Sequence, residues 1–197
     1  MREVAISCGV PAGFHQLEPG LREDRPDRLE ETLAGLPAAA QGRPAEVLAD
    51  YRGALAALRE QDVLLCAFGL HRDDRGEPHT SVLTLSARPL AGAAPGPLLA
   101  DLRSRALGEG QAAADVLLPS GPALLLERRE RPDGERWLWT GSVALAAAAH
   151  DRVLLLQLCS AATGLTAEYR EILLGAAHTL DFPAVRPPRS RIAEALG

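Results

Sequence analysis

In the second half of the chain, hydrophobic and polar positions fall into short runs separated by proline, glycine and aspartate. The clearest run spans 135–145, where Trp137, Trp139, Gly141, Val143 and Leu145 alternate with Leu138, Thr140, Ser142 and Ala144, the period-two pattern of a strand. Residues 152–160 are leucine-rich on both alternating faces, as in the middle of a covered sheet. The spacing predicts further strands at 113–118 and 123–131. The first ends at Pro119-Ser120-Gly121-Pro122, and the second meets the 135–145 run across the hairpin signal Pro132-Asp133-Gly134. His150-Asp151 marks another reversal. Upstream, 62–71 and 80–88 read as two strands joined by the polar loop 72–78. An opening strand at 3–7 runs into a turn at Pro11-Ala12-Gly13-Phe14.

Helical periodicity appears elsewhere. Val47, Leu48, Tyr51, Leu55 and Leu58 predict an amphipathic helix over 44–60, opened by Pro44, and a short helix is expected over 27–36. Pro97 opens a second pattern carrying Leu98, Leu99, Leu102 and Ala106, with Gly108 placed to stop it. The last helix is expected to be capped by Thr166 and to carry Tyr169, Ile172, Leu173, Ala176, Ala177 and Leu180 as its apolar stripe. Consecutive strands imply antiparallel pairing, and strands apolar on both faces imply lids on both sides. The expected fold is therefore α+β: an antiparallel sheet with helices on both faces, formed by residues 1–182. Residues 183–197, with Pro183, Pro187 and Pro188 among Arg186, Arg189 and Arg191, read as a tail or docking arm ending in Ile192 and Leu196.

The opening strand leading into Pro11-Ala12-Gly13-Phe14, the strand meander and the closing helix ending His178-Thr179-Leu180-Asp181-Phe182 together resemble the Mog1/PsbP-like fold. They also resemble bacterial domains of unknown function with the same Pro-x-Gly-aromatic start. The resemblance covers the chain to about Phe182. It implies an α/β/α sandwich used as a binding or accessory module, whose relatives include partners of a small GTPase and of photosystem II. It implies no shared catalytic set, and no functional residue carries over. The stretch Leu117-Leu118-Pro119-Ser120-Gly121-Pro122-Ala123 is similar to one in small actinobacterial proteins found near specialised secretion genes, which implies a secretion or envelope-associated assembly.

Composition narrows the functions available. The 197 residues are 47% hydrophobic, enough for a substantial core, but the longest apolar runs, 143–149 and 153–156, are far short of the ~20 residues of a membrane span. No secretory signal is read at the start, so the expected location is cytoplasmic. A net charge of −5 and 4% aromatic residues argue against a nucleic-acid partner, which needs a basic stripe or a stacking platform. Every basic residue among the 21 is arginine. GC-rich coding accounts for the bias. Its chemical consequence is that lysine-dependent phosphate loops and Schiff-base chemistry have no amine to use.

Few residues suggest chemistry. His71 and His79 stand at the two ends of the 72–78 loop, with Asp73, Asp74 and Glu77 between them, so imidazoles and carboxylates could converge on a metal ion there. Charged residues also populate any exposed hairpin tip. Gly108-Glu109-Gly110 imitates a dinucleotide fingerprint but follows a helix instead of opening one. Cys8, Cys66 and Cys159 lie in apolar contexts as small hydrophobes, although a spatial pairing of Cys8 or Cys159 with His15 or His178 is conceivable. Trp137 and Trp139 are either core or a binding platform, with core favoured.

These readings converge on a non-enzymatic interaction module without a cofactor, engaging another protein through its sheet face, its loop rims or its C-terminal arm, with Trp137, Trp139, Arg186, Arg189, Arg191, Ile192 and Leu196 as candidate contacts. The alternative is a small-molecule or metal-dependent enzyme built on the His71 to His79 loop. A third reading is a subunit completed by a copy of itself.

Overall fold

The computed structural model describes residues 6–17, 63–72, 78–131, 134 and 137–182. In chain order these form β1 (Phe14–Leu17), β2 (Val63–Arg72), β3 (Pro78–Pro89), α1 (Pro95–Gly108), β4 (Ala112–Leu118), β5 (Gly121–Glu130), β6 (Leu138–Ala147), β7 (Arg152–Ser160) and α2 (Thr166–His178). The strands make one seven-stranded sheet in the order β1-β2-β3-β7-β6-β5-β4, with every neighbouring pair antiparallel. The fold is α+β. Among the described residues, no helix is long and apolar enough to cross a membrane.

Two meanders, β1 to β3 and β4 to β7, meet where β3 pairs with β7, and that register sets the core. Leu83 faces Leu158 and Leu85 faces Leu156; on the other side of β7, Gly141, Val143 and Leu145 face Leu158, Leu156 and Leu154. Because side chains alternate, all of these lie on one face, and α2 lays Tyr169, Leu173, Ala176 and Ala177 over it. Leu83, Leu154, Leu156, Leu158 and Leu173 are fully buried. Each such side chain contributes about 1.5–3 kcal/mol of transfer free energy.

Trp139 anchors the helix. Its ring stacks on Tyr169 at 6.1 Å, and its indole N–H donates to Glu127 Oε1 at 3.3 Å. Arg170 of α2 donates to Glu127 Oε2 at 3.0 Å, so one carboxylate ties the strand, the indole and the helix together. Arg129 adds a 3.0 Å bond to Thr166 Oγ1. Gly141 makes room for this arrangement. A Cβ there would lie 2.5 and 2.7 Å from Trp139 ring atoms and 2.8 Å from Leu173 Cδ2.

The predicted strands from 62 to 160 and the last two helices are present, with ends shifted by a few residues. Several details differ from the sequence reading. Residues 3–5 of the expected opening strand lie outside the described residues; of the remainder, Ser7 bridges Asp181, and β1 begins after the turn. There Gly13 (φ +82°) lets Phe14 N–H reach Pro11 O at 3.1 Å, which redirects the chain so that Phe14 enters the core. Thr166 is not a cap. It already has helical φ and ψ, and its hydroxyl donates to Thr163 O at 2.7 Å, while the 3-10 turn Thr163–Leu165 leads into the helix. α1 opens at Pro95, so Pro97 lies inside its first turn. The expected helices at 27–36 and 44–60 and the tail 183–197 lie outside the described residues.

Replacing Gly141 by Ala is expected to lower unfolding stability by about 2–3 kcal/mol, because strand backbone and a fully buried tryptophan leave no room for a methyl group. Denaturant unfolding should show a lower midpoint at unchanged slope.

Candidate functional site

β4 ends the sheet. Among the described residues no strand lies beyond it, and its outer side is open along its whole length. Which backbone groups face outward follows from the partner strand. Leu117 lies opposite Pro122, which has no N–H, so this pair cannot exchange both ladder bonds. The bonded pairs are therefore Ala112 with Glu127, Ala114 with Leu125, Val116 with Ala123 and Leu118 with Gly121. The N–H and C=O groups of Ala113, Asp115 and Leu117 consequently point away from the sheet.

Natural edges are usually blunted by lysine, proline, a bulge or short length. β4 has seven residues, none of them lysine or proline, and it pairs with β5 in unbroken register. Its one charge, Asp115, forms an ion pair with Arg103 of α1, which neutralises it from within the chain. Leu117 is 79% exposed, and Ala112 and Ala114 are exposed as well. Beside the edge, α1 and the sheet enclose a cleft of about 310 Å³ lined by Leu99, Arg103, Asp115, Pro122 and Ala146 among others. The opposite edge is the four-residue β1.

The residues singled out from sequence fare differently. His71 and His79 are brought directly opposite each other by the β2 to β3 register. The side chain of His71, together with Asp73, Asp74 and Glu77, lies outside the described residues, and among the described residues no group of three metal-binding side chains forms. The two tryptophans part company. Trp139 is 1% exposed and belongs to the α2 side of the sheet, which corrects its candidacy as a partner contact. Trp137 precedes β6, is 47% exposed, and carries the Arg131 guanidinium 4.3 Å above its ring. Arg186, Arg189, Arg191, Ile192 and Leu196 lie outside the described residues.

The thiols show no sign of activation. Cys8 Sγ lies 3.7 Å from the Gly9 and Ala176 carbonyls and Cys159 Sγ 3.5 Å from Thr140 Oγ1, while His178 Nδ1 contacts Leu174 O at 2.7 Å. The hydrogen-bonding contacts of the two sulfurs among the described residues are thus with carbonyls and a hydroxyl. Burial raises the Cys8 thiol, with a hydrogen bond to Thr179 acting in the opposite sense, and pushes Cys66 up to about 12. The Tyr169 phenol is likewise raised by burial; its contact with Ser160 opposes the shift and Glu168 adds to it.

In the sequence pattern, 113–118 is one strand among several. Its place at the edge follows from the sheet order and has no signature in its residues alone. No protein family matches this sequence, and no curated protein matches it.

Native protein at pH 8 is expected to leave Cys66 unlabelled by a thiol reagent, with full labelling after denaturation; rapid native labelling of Cys66 would contradict its burial. The proton linkage has a definite sign. Between the unfolded value of 9.0 and the folded value of about 12, the folded state keeps the proton and the unfolded state loses it, so this contribution to stability is lost as pH rises through that window. A Cys66→Ala variant should show a shallower alkaline decline.

Proposed function

We propose that the chain is a non-enzymatic protein-interaction or accessory module that acts in the cytoplasm and engages its partner through the open edge of its sheet. The observation that carries this reading is β4: seven residues with outward backbone donors and acceptors, an internally neutralised charge and a leucine 79% exposed. Such an edge offers main-chain hydrogen bonds for affinity and alternate side chains for selectivity. A protein strand satisfies both, whereas a small molecule satisfies neither well.

The arrangement we infer for the module is an α/β/α sandwich of the Mog1/PsbP-like kind. In its support, Ala114 and Val116 share the face covered by α2, while Asp115 between them is the residue that meets Arg103 of α1. The stretch 117–123 that resembles small actinobacterial proteins near secretion genes is the exposed end of β4 and its hairpin. A partner in a secretion or envelope-associated assembly would meet the module there.

The test is a photo-crosslinking amino acid at Leu117 in the living host, with the same probe at exposed Glu171 of α2 as control. Discrete protein adducts from Leu117 alone are expected. Absence of adducts, or the same adducts from both positions, would overturn the reading.

A further inference from the structure

Read in both directions, the edge strand is complementary to itself. Its sequence is Ala112-Ala113-Ala114-Asp115-Val116-Leu117-Leu118. An antiparallel copy centred on Asp115 sets Ala112 against Leu118, Ala113 against Leu117 and Ala114 against Val116, so every apolar pair joins one small and one large side chain. The outward groups agree with this centre. Ala113, Asp115 and Leu117 are the residues whose N–H and C=O are unused by β5, and in this register they pair only with one another, as a bonded ladder requires.

From this we infer that the occupant of the β4 edge is a second copy of the chain, paired antiparallel about a two-fold axis at Asp115 to make a continuous sheet across two subunits. This inference rests on the interaction-module reading and names its partner. Two copies of Asp115 then face each other, which by itself opposes pairing. Arg103 of each copy offsets this, since each carboxylate reaches the axis already matched by a guanidinium from its own α1. A two-fold edge junction is also closed: each copy uses β4, and among the described residues the outermost strand that remains is the short β1, so pairing stops at two. A junction of this length is smaller than the roughly 1,600 Å² of a standard interface, so the dimer is expected to be a weak one whose population depends on concentration.

The experiment is multi-angle light scattering and sedimentation of the full chain across a dilution series. The expected result is a concentration-dependent species of about twice the 20.9 kDa chain mass. Leu117→Lys, at a position 79% exposed, should weaken association at least tenfold while leaving the circular dichroism spectrum and thermal midpoint unchanged. Ala113→Pro removes an outward N–H and should do the same. Asp115→Cys should give a covalent dimer on mild oxidation, because a residue on the axis meets its own copy at about 5.5 Å, whereas Ala112→Cys should not. A chain that stays monomeric at about 0.1 mM, a dimer indifferent to both edge variants, or one that links through Ala112→Cys instead would overturn the inference. A monomer whose Leu117 still crosslinks to a different protein overturns the second copy and spares the interaction-module reading. A monomer without adducts overturns both.

Discussion

The ladder between β3 and β7 holds the two halves of the sheet together. β1 to β3 and β4 to β7 are each built from neighbouring strands, and only the pairing of Ser81–Pro89 with Arg152–Ser160 makes them one sheet. Its residues are more than sixty positions apart along the chain, so their meeting costs loop entropy before any contact is made. The compensation is the buried row in which Leu83 and Leu85 meet Leu158 and Leu156, with Val143 and Leu145 completing the row from β6. A slip of one residue would turn these leucines to the opposite face and bring Thr84 and Gln157 under α2.

From that ladder the position of α2 follows, and with it the division of the polar groups. Trp139 can lie under the helix only because Gly141, two residues further along the same face, has no side chain. Its indole nitrogen donates to Glu127 in a part-buried contact, and the exposed Arg170 holds the other oxygen of the same carboxylate. Ser160 has a similar role at the end of β7: its hydroxyl donates to Thr80 O and accepts from Ala162 N. Strand end, neighbouring strand and the entry to α2 are thereby joined through one small side chain.

The edge at β4 is the other side of the same construction. A sheet extended by hairpins must end somewhere, and among the described residues it ends in a strand whose Asp115 pairs in cis with Arg103 and whose Ala112, Ala114 and Leu117 are exposed. Edges of this kind are ordinarily guarded against pairing. An unguarded one of seven residues carries meaning when its own sequence is complementary to its reverse. α1 contributes by supplying Arg103, which offsets part of the repulsion between two such edges.

Much of the fold was legible locally. Alternation at Trp139, Gly141, Val143 and Leu145 and the leucine run at 152–160 identified strands because side chains on a strand point to opposite faces in turn. Tyr169, Leu173 and Ala176 identified the last helix by its own period, and Asp151 could mark a reversal because Asp tolerates the left-handed backbone, here at φ 51°. Composition alone left lysine-dependent chemistry without its side chain, since the chain has no lysine. Other features belong to the tertiary structure. Trp137 and Trp139 are equivalent in the pattern, yet one is exposed and the other buried, because strand β6 begins between them and only Trp139 lies within the sheet. Thr166 looks like a cap until the preceding turn is seen to carry the helix one step earlier. The edge character of 112–118 could not be read from its residues, because strand order is set by long-range pairing, and only that order decides which strand is left without a neighbour.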